Sequence, residues 1–490
     1  MKYENIMKHY NMKNLIYLVI AIFLSSCGNT KQPNILLIVA DDLGWKDVGF
    51  MGSEFYETPN LDKLAGEGVV FNQAYAGAAN CAPSRACLLS GENTPRHGIY
   101  TVNSSVRGNA RTRRLIPTKN NTVLGDEFIT LAEELQKAGY VTASMGKWHI
   151  GDSPLSQGFD LNYGGGKWGH PAGYFAPFKY PEIEADEGDN LTDLISARAI
   201  RFIRENVDRP FFLYIPFYAV HSPLQGKAHL VEKFRKKGGN ELQHNAKYAA
   251  MIATMDSCVG AIIREVDDLN LRKKTLILFT SDNGGVFNIS LQNPLRGGKG
   301  SYYEGGIRVP LVVSWPGEIE PGIDEKTIVA NLDYYPTLLD FLGVEPMNTM
   351  LDGISFKNVL LSSKGDEATV STPEPHALYF HFPVYLEANK GNVKCGRDVL
   401  FRTRPGSVIR FGDWKLHWYF EDNALELYNL STDIGEEHNL AETHPEKAQE
   451  LLQMLKSWIE ETGAPVPTEI NSEFDPEFER GKSELRVREK

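Results

Sequence analysis

Cysteine is scarce: five residues in 490, at Cys27, Cys81, Cys87, Cys258 and Cys395. None falls in a Cys/His cluster with zinc spacing, so a structural zinc is not expected. Positive charge is outnumbered as well, 51 Lys and Arg against 63 Asp and Glu for a net charge of −12, which argues against general nucleic-acid binding. No internal repeat is visible, which excludes a solenoid or propeller array. What remains is ordinary globular composition in a chain long enough for one large domain and a smaller one.

Residues Leu15 to Leu24 (LIYLVIAIFL) form an apolar run too short to cross a bilayer comfortably, after a lysine-bearing segment. This reads as a secretory signal. Leu24-Ser25-Ser26-Cys27 resembles a bacterial lipobox, implying cleavage before Cys27 and lipid attachment to its sulfur. The expected locations are therefore the bacterial periplasm or the outer membrane, with membrane contact only through that lipid. Residues 1–27 are assigned to this leader.

Further along, continuous aliphatic runs alternate with helical spacing. Asn34 to Ala40, Tyr140 to Met145, Phe211 to Val220, Thr275 to Thr280 and Val309 to Ser314 read as buried strands. Phe128 to Ala138, Leu191 to Asn206 and Asn245 to Leu269 carry apolar residues at helical spacing. The expected fold is α/β: a mainly parallel sheet sandwiched by helices over residues 32–370. From His376 the pattern changes to short strands and turns, followed by a helix from Pro445 to Glu461. Residues 375–465 are read as a C-terminal α+β subdomain. The charged, aperiodic tail at 466–490 is expected to be extended or partly disordered.

Chemistry-bearing residues fall just past predicted strand ends: Asp41, Asp42, Lys147, His149, His221, Asp282 and Asn283. In open α/β sheets ligands bind at that edge. Asp41, Asp42, Asp282 and Asn283 make an all-oxygen set suited to a hard cation, and calcium tolerates irregular oxygen cages best. Arg85, Lys147 and Lys299 add fixed positive charge, and His149 and His221 can move protons. Such a pocket would hold a tetrahedral oxyanion ester. Cys81 is the available nucleophile, at the start of a predicted helix where backbone N–H groups attract anions. As a thiol it is a poor partner for calcium, which suggests that it is modified.

Cys81-Ala82-Pro83-Ser84-Arg85 followed by Leu88-Leu89-Ser90-Gly91 resembles the signature of the type I sulfatases of the alkaline phosphatase superfamily, with Ser90 where Thr is common. Gly146-Lys147-Trp148-His149, His221-Ser222-Pro223, Ser281-Asp282-Asn283-Gly284-Gly285 and Lys299 with Glu304-Gly305-Gly306 extend the resemblance. It implies that a maturation enzyme oxidises Cys81 to formylglycine, and that the hydrated aldehyde attacks sulfur beside a calcium ion held by Asp41, Asp42, the modified Cys81, Asp282 and Asn283. Lys147 and Arg85 would hold sulfate and the diol. His221 and Lys299 would assist the departing alcohol, and His149 would take the proton that lets sulfate leave. Together with export, this implies a sulfated polysaccharide or oligosaccharide as substrate. His170 in the Trp168–Tyr174 loop, together with His381, Arg402 and Arg404, either reads the sugar or serves as packing rings and surface charges. The rival readings are a phosphate or phosphonate monoester hydrolase of the same superfamily and a catalytically dead glycan-binding homologue.

Overall fold

A computed structural model describes residues 32–362, 376–388 and 396–488. The expected leader, residues 1–27 with Cys27, and the Cys395 thiol lie outside these residues. Residues Asn34–Lys490 form one compact unit.

Its centre is an eight-stranded sheet: β1 (Asn34–Ala40), β2 (Val69–Phe71), β3 (Val141–Met145), β4 (Leu161–Tyr163), β5 (Phe211–Pro216), β6 (Thr275–Ser281), β7 (Leu311–Ser314) and β8 (Gly322–Asp324). The spatial order is β4-β3-β5-β1-β6-β7-β2-β8, and only β7 runs against its neighbours. This is the expected α/β class.

Every residue of β1 is buried, because both faces of the sheet are covered. Leu36, Ile38 and Ala40 pack in the cluster that holds Ile195 and Phe202 of the Leu191–Glu205 helix and Ile252, Met255 and Val259 of the Ala246–Asp268 helix. Ile35, Leu37 and Val39 face the opposite layer, with Leu88, Leu89, Leu131, Leu135 and Leu338. The period-2 alternation of a strand therefore feeds two separate cores.

The C-terminal part is a four-stranded antiparallel sheet, β9 (Leu378–Phe382), β10 (Gly406–Phe411), β11 (Trp414–Tyr419) and β12 (Leu425–Asn429), in that spatial order. Ile409, Leu416 and Leu427 meet Leu451, Leu455 and Trp458 of the Pro445–Thr462 helix. On the other face Leu378, Phe380 and Phe382 pack with Tyr75, Cys87 and Tyr302.

Three readings need correction. The Phe211 strand stops at Pro216, and residues 217–220 turn across the sheet edge, where Val220 N donates to Asp41 O at 2.8 Å. The 128–138 helix begins only at Leu131, because Thr130 and Glu133 close a capping box there. The tail is not extended: Pro476–Arg488 is a helix. Asp475 accepts from Phe478 N at 3.0 Å, Arg404 pairs with Glu479 at 2.7 Å, and Arg486 donates to Val399 O at 3.0 Å. Ion pairs hold this helix, and it buries no residue of its own, so no apolar period marks it.

Candidate active site

The site lies where β3, β5, β1 and β6 end side by side. Asp41 and Asp42 follow β1, Lys147 and His149 follow β3, His221 follows the turn after β5, and Asp282 and Asn283 follow β6. Strand pairing makes these sequence-distant residues neighbours: Asp282 N donates to Ala40 O at 3.0 Å and Asp41 N to Ala219 O at 2.9 Å. Gly146 sits at φ +127, and a Cβ there would lie 2.1 Å from Pro216 O, so only glycine lets the β3 end approach β5 so closely.

Cys81 opens the Cys81–Ser90 helix, buried behind Asn80 at the N-cap. Lys299 Nζ donates to Cys81 Sγ at 3.3 Å and pairs with Asp42 at 2.7 Å. Lys147 Nζ pairs with Asp41 at 2.7 Å. Arg85 donates through Nε and Nη2 to one oxygen of Asp282 at 2.9 and 2.8 Å, and through Nη1 to Lys147 O at 3.0 Å. Asn283 Nδ2 donates to Asp42 at 2.8 Å, and His221 Nε2 stands 3.5 Å from the same carboxylate.

Electrostatics follow from this crowding. Burial and the charges of Asp282 and Asp42 push the Asp41 carboxyl up, in spite of Lys147. Asp42 is equally buried, yet Lys299, His221 and Lys147 hold it well below the usual carboxylate range. Burial also raises the Cys81 thiol against the pull of Lys147 and Lys299, so the encoded thiol keeps its proton. A free-thiolate hydrolase is disfavoured on that ground. Burial, aided by Lys147, Arg85 and Lys299, keeps His149 far below its ordinary value, and His221 is pushed down to about 3 by burial and Lys299.

The acceptors left over bear on whether the site suits a cation. Ligand atoms of Asp41, Asp42, Cys81 and His221 lie within 4.8 Å of one another. Asp41 Oδ1 and Asn283 Oδ1 are buried without a hydrogen-bond partner. A buried unsatisfied acceptor costs about 1–3 kcal/mol, and a hard cation would relieve both atoms at once. The residues fit a calcium-like ion. His221 stands among these atoms as a sixth candidate ligand, which the oxygen-only reading of the sequence did not include.

Of the four residues considered for sugar recognition, His170 lies with its ring stacked 5.9 Å from that of His221, a catalytic candidate. His381 is buried, bonded to Ser407 Oγ at 2.7 Å and Pro465 O at 3.0 Å, and cannot read a substrate. Arg404 is spent on Asp398, Glu421 and Glu479. Arg402 donates to Glu387 O at 2.9 Å and to Lys299 O at 3.1 Å, so it braces the lysine loop. Tyr174 is also structural: its hydroxyl donates to Tyr218 O at 2.6 Å and His221 O at 2.8 Å. The glycine-rich loop has a steric reason, since a Cβ on Gly169 would fall 2.6 Å from the His149 ring. The sequence reading missed Thr101, Asn103, Asp152 and Lys167, which share a cavity wall with His149. They sit in irregular loops, where no period marks them.

Fold and site together define a hydrolase of anionic esters, with its nucleophile position at a helix N-terminus and its charge at the carboxyl edge of a sheet. The Sulfatase family matches residues 33–344, and the family N-sulphoglucosamine sulphohydrolase, C-terminal, matches residues 298–464. The chain belongs to the sulfatase family, whose members use formylglycine and a metal. A sulfatase of Formosa agariphila is 31% identical over 94% of this chain and 95% of its own. Human arylsulfatase A is 29% identical over 91% of this chain and 92% of its own. Among solved structures, that of Ps i-CgsB in complex with k-i-k-neocarrahexaose aligns with TM-score 0.72 at 28% identity, covering 93% of this chain and 98% of that one. The protein is a sulfatase that hydrolyses sulfate esters.

Proposed function

We propose that the substrate is an O-sulfate group on a sulfated polysaccharide or oligosaccharide, and that formylglycine made from Cys81 works beside a calcium ion. The observation that carries this reading is the grouping of Asp41, Asp42, Cys81 and His221 ligand atoms within 4.8 Å of one another, with Asp41 Oδ1 buried and unpartnered. The carbohydrate complex of the Ps i-CgsB relative supports the substrate class.

Asp41, Asp42, Asp282 and Asn283 would hold the ion, which when bound would supply Lewis acidity toward sulfate oxygens. The aldehyde hydrate from Cys81 would supply an oxygen nucleophile together with a second hydroxyl through which sulfate is later released. Arg85 fixes Asp282 against the Cys81 helix, and Lys147 fixes Asp41, so both cations are held in place beside the carboxylates. Lys299, already within hydrogen-bond reach of the Cys81 side chain, would donate toward oxygen in its place and toward the leaving alcohol. His149 is held neutral with a buried, unpartnered Nδ1, as a proton acceptor requires. His221, next to Asp42, would serve the leaving group from the opposite side. The reading also includes export as a lipoprotein through Cys27, and a maturation enzyme as partner.

The test is production in a host that carries the maturation enzyme, followed by peptide mass spectrometry across Cys81 and sulfate-release assays on 4-nitrophenyl sulfate and a panel of sulfated mono- and oligosaccharides. Aldehyde in place of thiol, and turnover lost in Cys81→Ala, are expected. An unmodified Cys81 in fully active protein would sink the mechanism. Faster turnover of phosphate or phosphonate monoesters than of any sulfate would favour the phosphoryl reading.

A further inference from the structure

Asp41 and Asp42 are consecutive, and consecutive side chains of an extended strand point to opposite faces. Both nevertheless place an oxygen in the same group of ligand atoms, within 4.8 Å of one another. The backbone accounts for this. Asp42 sits at φ +61, in the left-handed region, so the chain turns as it leaves β1 and swings the second carboxylate toward the first. That conformation is costly for most residues other than glycine, and Asp is one of the few that adopt it. The turn therefore needs support.

Part of that support comes from the end of β6, where Asp282 Oδ1 accepts from Asp42 N at 3.2 Å and Ser281 Oγ from Leu43 N at 3.1 Å. A further bond comes from behind the site. The Tyr248 hydroxyl, on the Ala246–Asp268 helix, donates to Asp42 O at 3.1 Å and to Asp47 Oδ2 at 2.8 Å, one proton between two acceptors. Tyr248 is itself fixed, since Asn245 caps the helix by accepting from its N–H at 3.1 Å and its ring packs edge-on to Tyr56 at 5.3 Å. Asp47 is fully buried and gathers donors from two loops: Gly44 N at 3.0 Å, Ser290 Oγ at 2.6 Å and Gln292 Nε2 at 3.0 Å. Gln292 in turn accepts from Lys46 N at 2.8 Å. Asp47 thus ties the loop that follows Asp41 and Asp42 to the loop that follows Asp282 and Asn283. Both side chains are too deeply buried to meet a substrate, and the bond they direct into the site ends on the backbone of a candidate ligand.

We propose that Tyr248 and Asp47 are positioning residues of the cation site, which fix through Asp42 O the left-handed turn that sends the Asp42 carboxylate into it. The proposal rests on the cation reading above. With the turn set in advance, calcium does not have to supply the free energy of ordering it, and that saving appears as affinity. Groups that orient metal ligands from behind typically change metal affinity by about ten- to a hundredfold when removed.

The test titrates calcium chloride by calorimetry into matured, chelator-stripped protein: wild type, Tyr248→Phe, Asp47→Asn and, as a control, Thr254→Val. Thr254 lies on the same helix as Tyr248, and its buried hydroxyl donates to Ala250 O at 2.8 Å within that helix. Tyr248→Phe and Asp47→Asn should weaken the calcium Kd about tenfold or more, and Thr254→Val should change it by less than about twofold. Tyr248→Phe removes one oxygen and keeps the ring, so it remains informative if Asp47→Asn does not fold. A lowered Tm with an unchanged Kd in Tyr248→Phe would overturn the positioning role, since a purely structural contact behaves that way. An equal loss of affinity in Thr254→Val would overturn it too. A wild type that binds no calcium would defeat the cation reading itself, and the proposal with it.

Discussion

Two buried clusters of charge lie at opposite ends of the loop 296–308, and they are built to opposite rules. At one end Lys299 joins Asp41, Asp42, Asp282, Lys147 and Arg85. At the other Glu304 and Glu436 share Lys415 at 3.0 and 2.9 Å. In this second cluster every carboxylate oxygen has a partner. Glu304 also accepts from Tyr75 at 2.8 Å and Arg308 at 3.2 Å, and Glu436 accepts from Glu304 N at 2.6 Å. In the first cluster Asp41 Oδ1, Asn283 Oδ1 and His149 Nδ1 have none. Buried charge alone therefore does not mark function here. Satisfaction distinguishes a brace, which is complete by itself, from a site, which is completed by what it binds.

The comparison breaks most visibly at the open cluster. Chelation, or Asp42→Asn, should lower sulfate release about a hundredfold or more. Added calcium should restore the chelated wild type, but not the variant. In calorimetry calcium should raise the Tm of wild type by mass action and do little for Asp42→Asn. Undiminished activity after complete metal removal would mean that the unpartnered oxygens are not a cation site.

An intermediate effect is expected at the closed cluster. Lys415→Met leaves Glu304 and Glu436 buried without their shared cation and should cost about 3–5 kcal/mol in denaturant unfolding. The protein that remains folded should keep a near wild-type kcat, since Lys415 touches no reacting atom. A loss of kcat with unchanged stability would erase the distinction between the two clusters.

How much of this could be read from the chain depends on distance along it. The strand ends were legible because an aliphatic run stopped by Asp41-Asp42 or Asp282-Asn283 states both burial and its limit locally. The nucleophile segment was legible because Pro83 and Arg85 sit within one turn of Cys81. For His381 and Arg404 the sequence leaves sugar reading and packing both open, because partners that decide it, Pro465 and Glu479, lie 84 and 75 residues away. The helix Pro476–Arg488 was invisible for a related reason, since its attachments are Arg111, Arg404 and two backbone carbonyls rather than an apolar stripe. The cavity wall draws on segments far apart in the chain, so only folding brings Thr101, Asp152 and Lys167 together.

A histidine outside both clusters sharpens the contrast with the smallest effect. His97 is buried, and that burial alone pushes it down to about 3. Its folded value is below the unfolded value of about 6.5, so the stability it contributes is whole above that pH. That contribution is lost as pH falls toward 3. Between pH 7 and pH 5 the loss is about 2 kcal/mol at most. The slope of Tm against pH over that interval should therefore flatten in His97→Asn. An unchanged slope would show that His97 carries no proton-linked stability.

The loop that joins the clusters has a consequence for how such a protein can change over generations. Gly284 N donates to Gly306 O at 3.0 Å, so the turn after β6 is laced to the same loop that carries Lys299 and ends in the Glu304 brace. The C-terminal sheet, through Lys415 and Glu436, thus grips a strand of chain whose other end reaches the nucleophile. Exchanging that sheet for one from a distant relative would not be a modular swap. A graft would have to carry matching partners for Glu304, or the recipient would inherit a buried carboxylate without its cation.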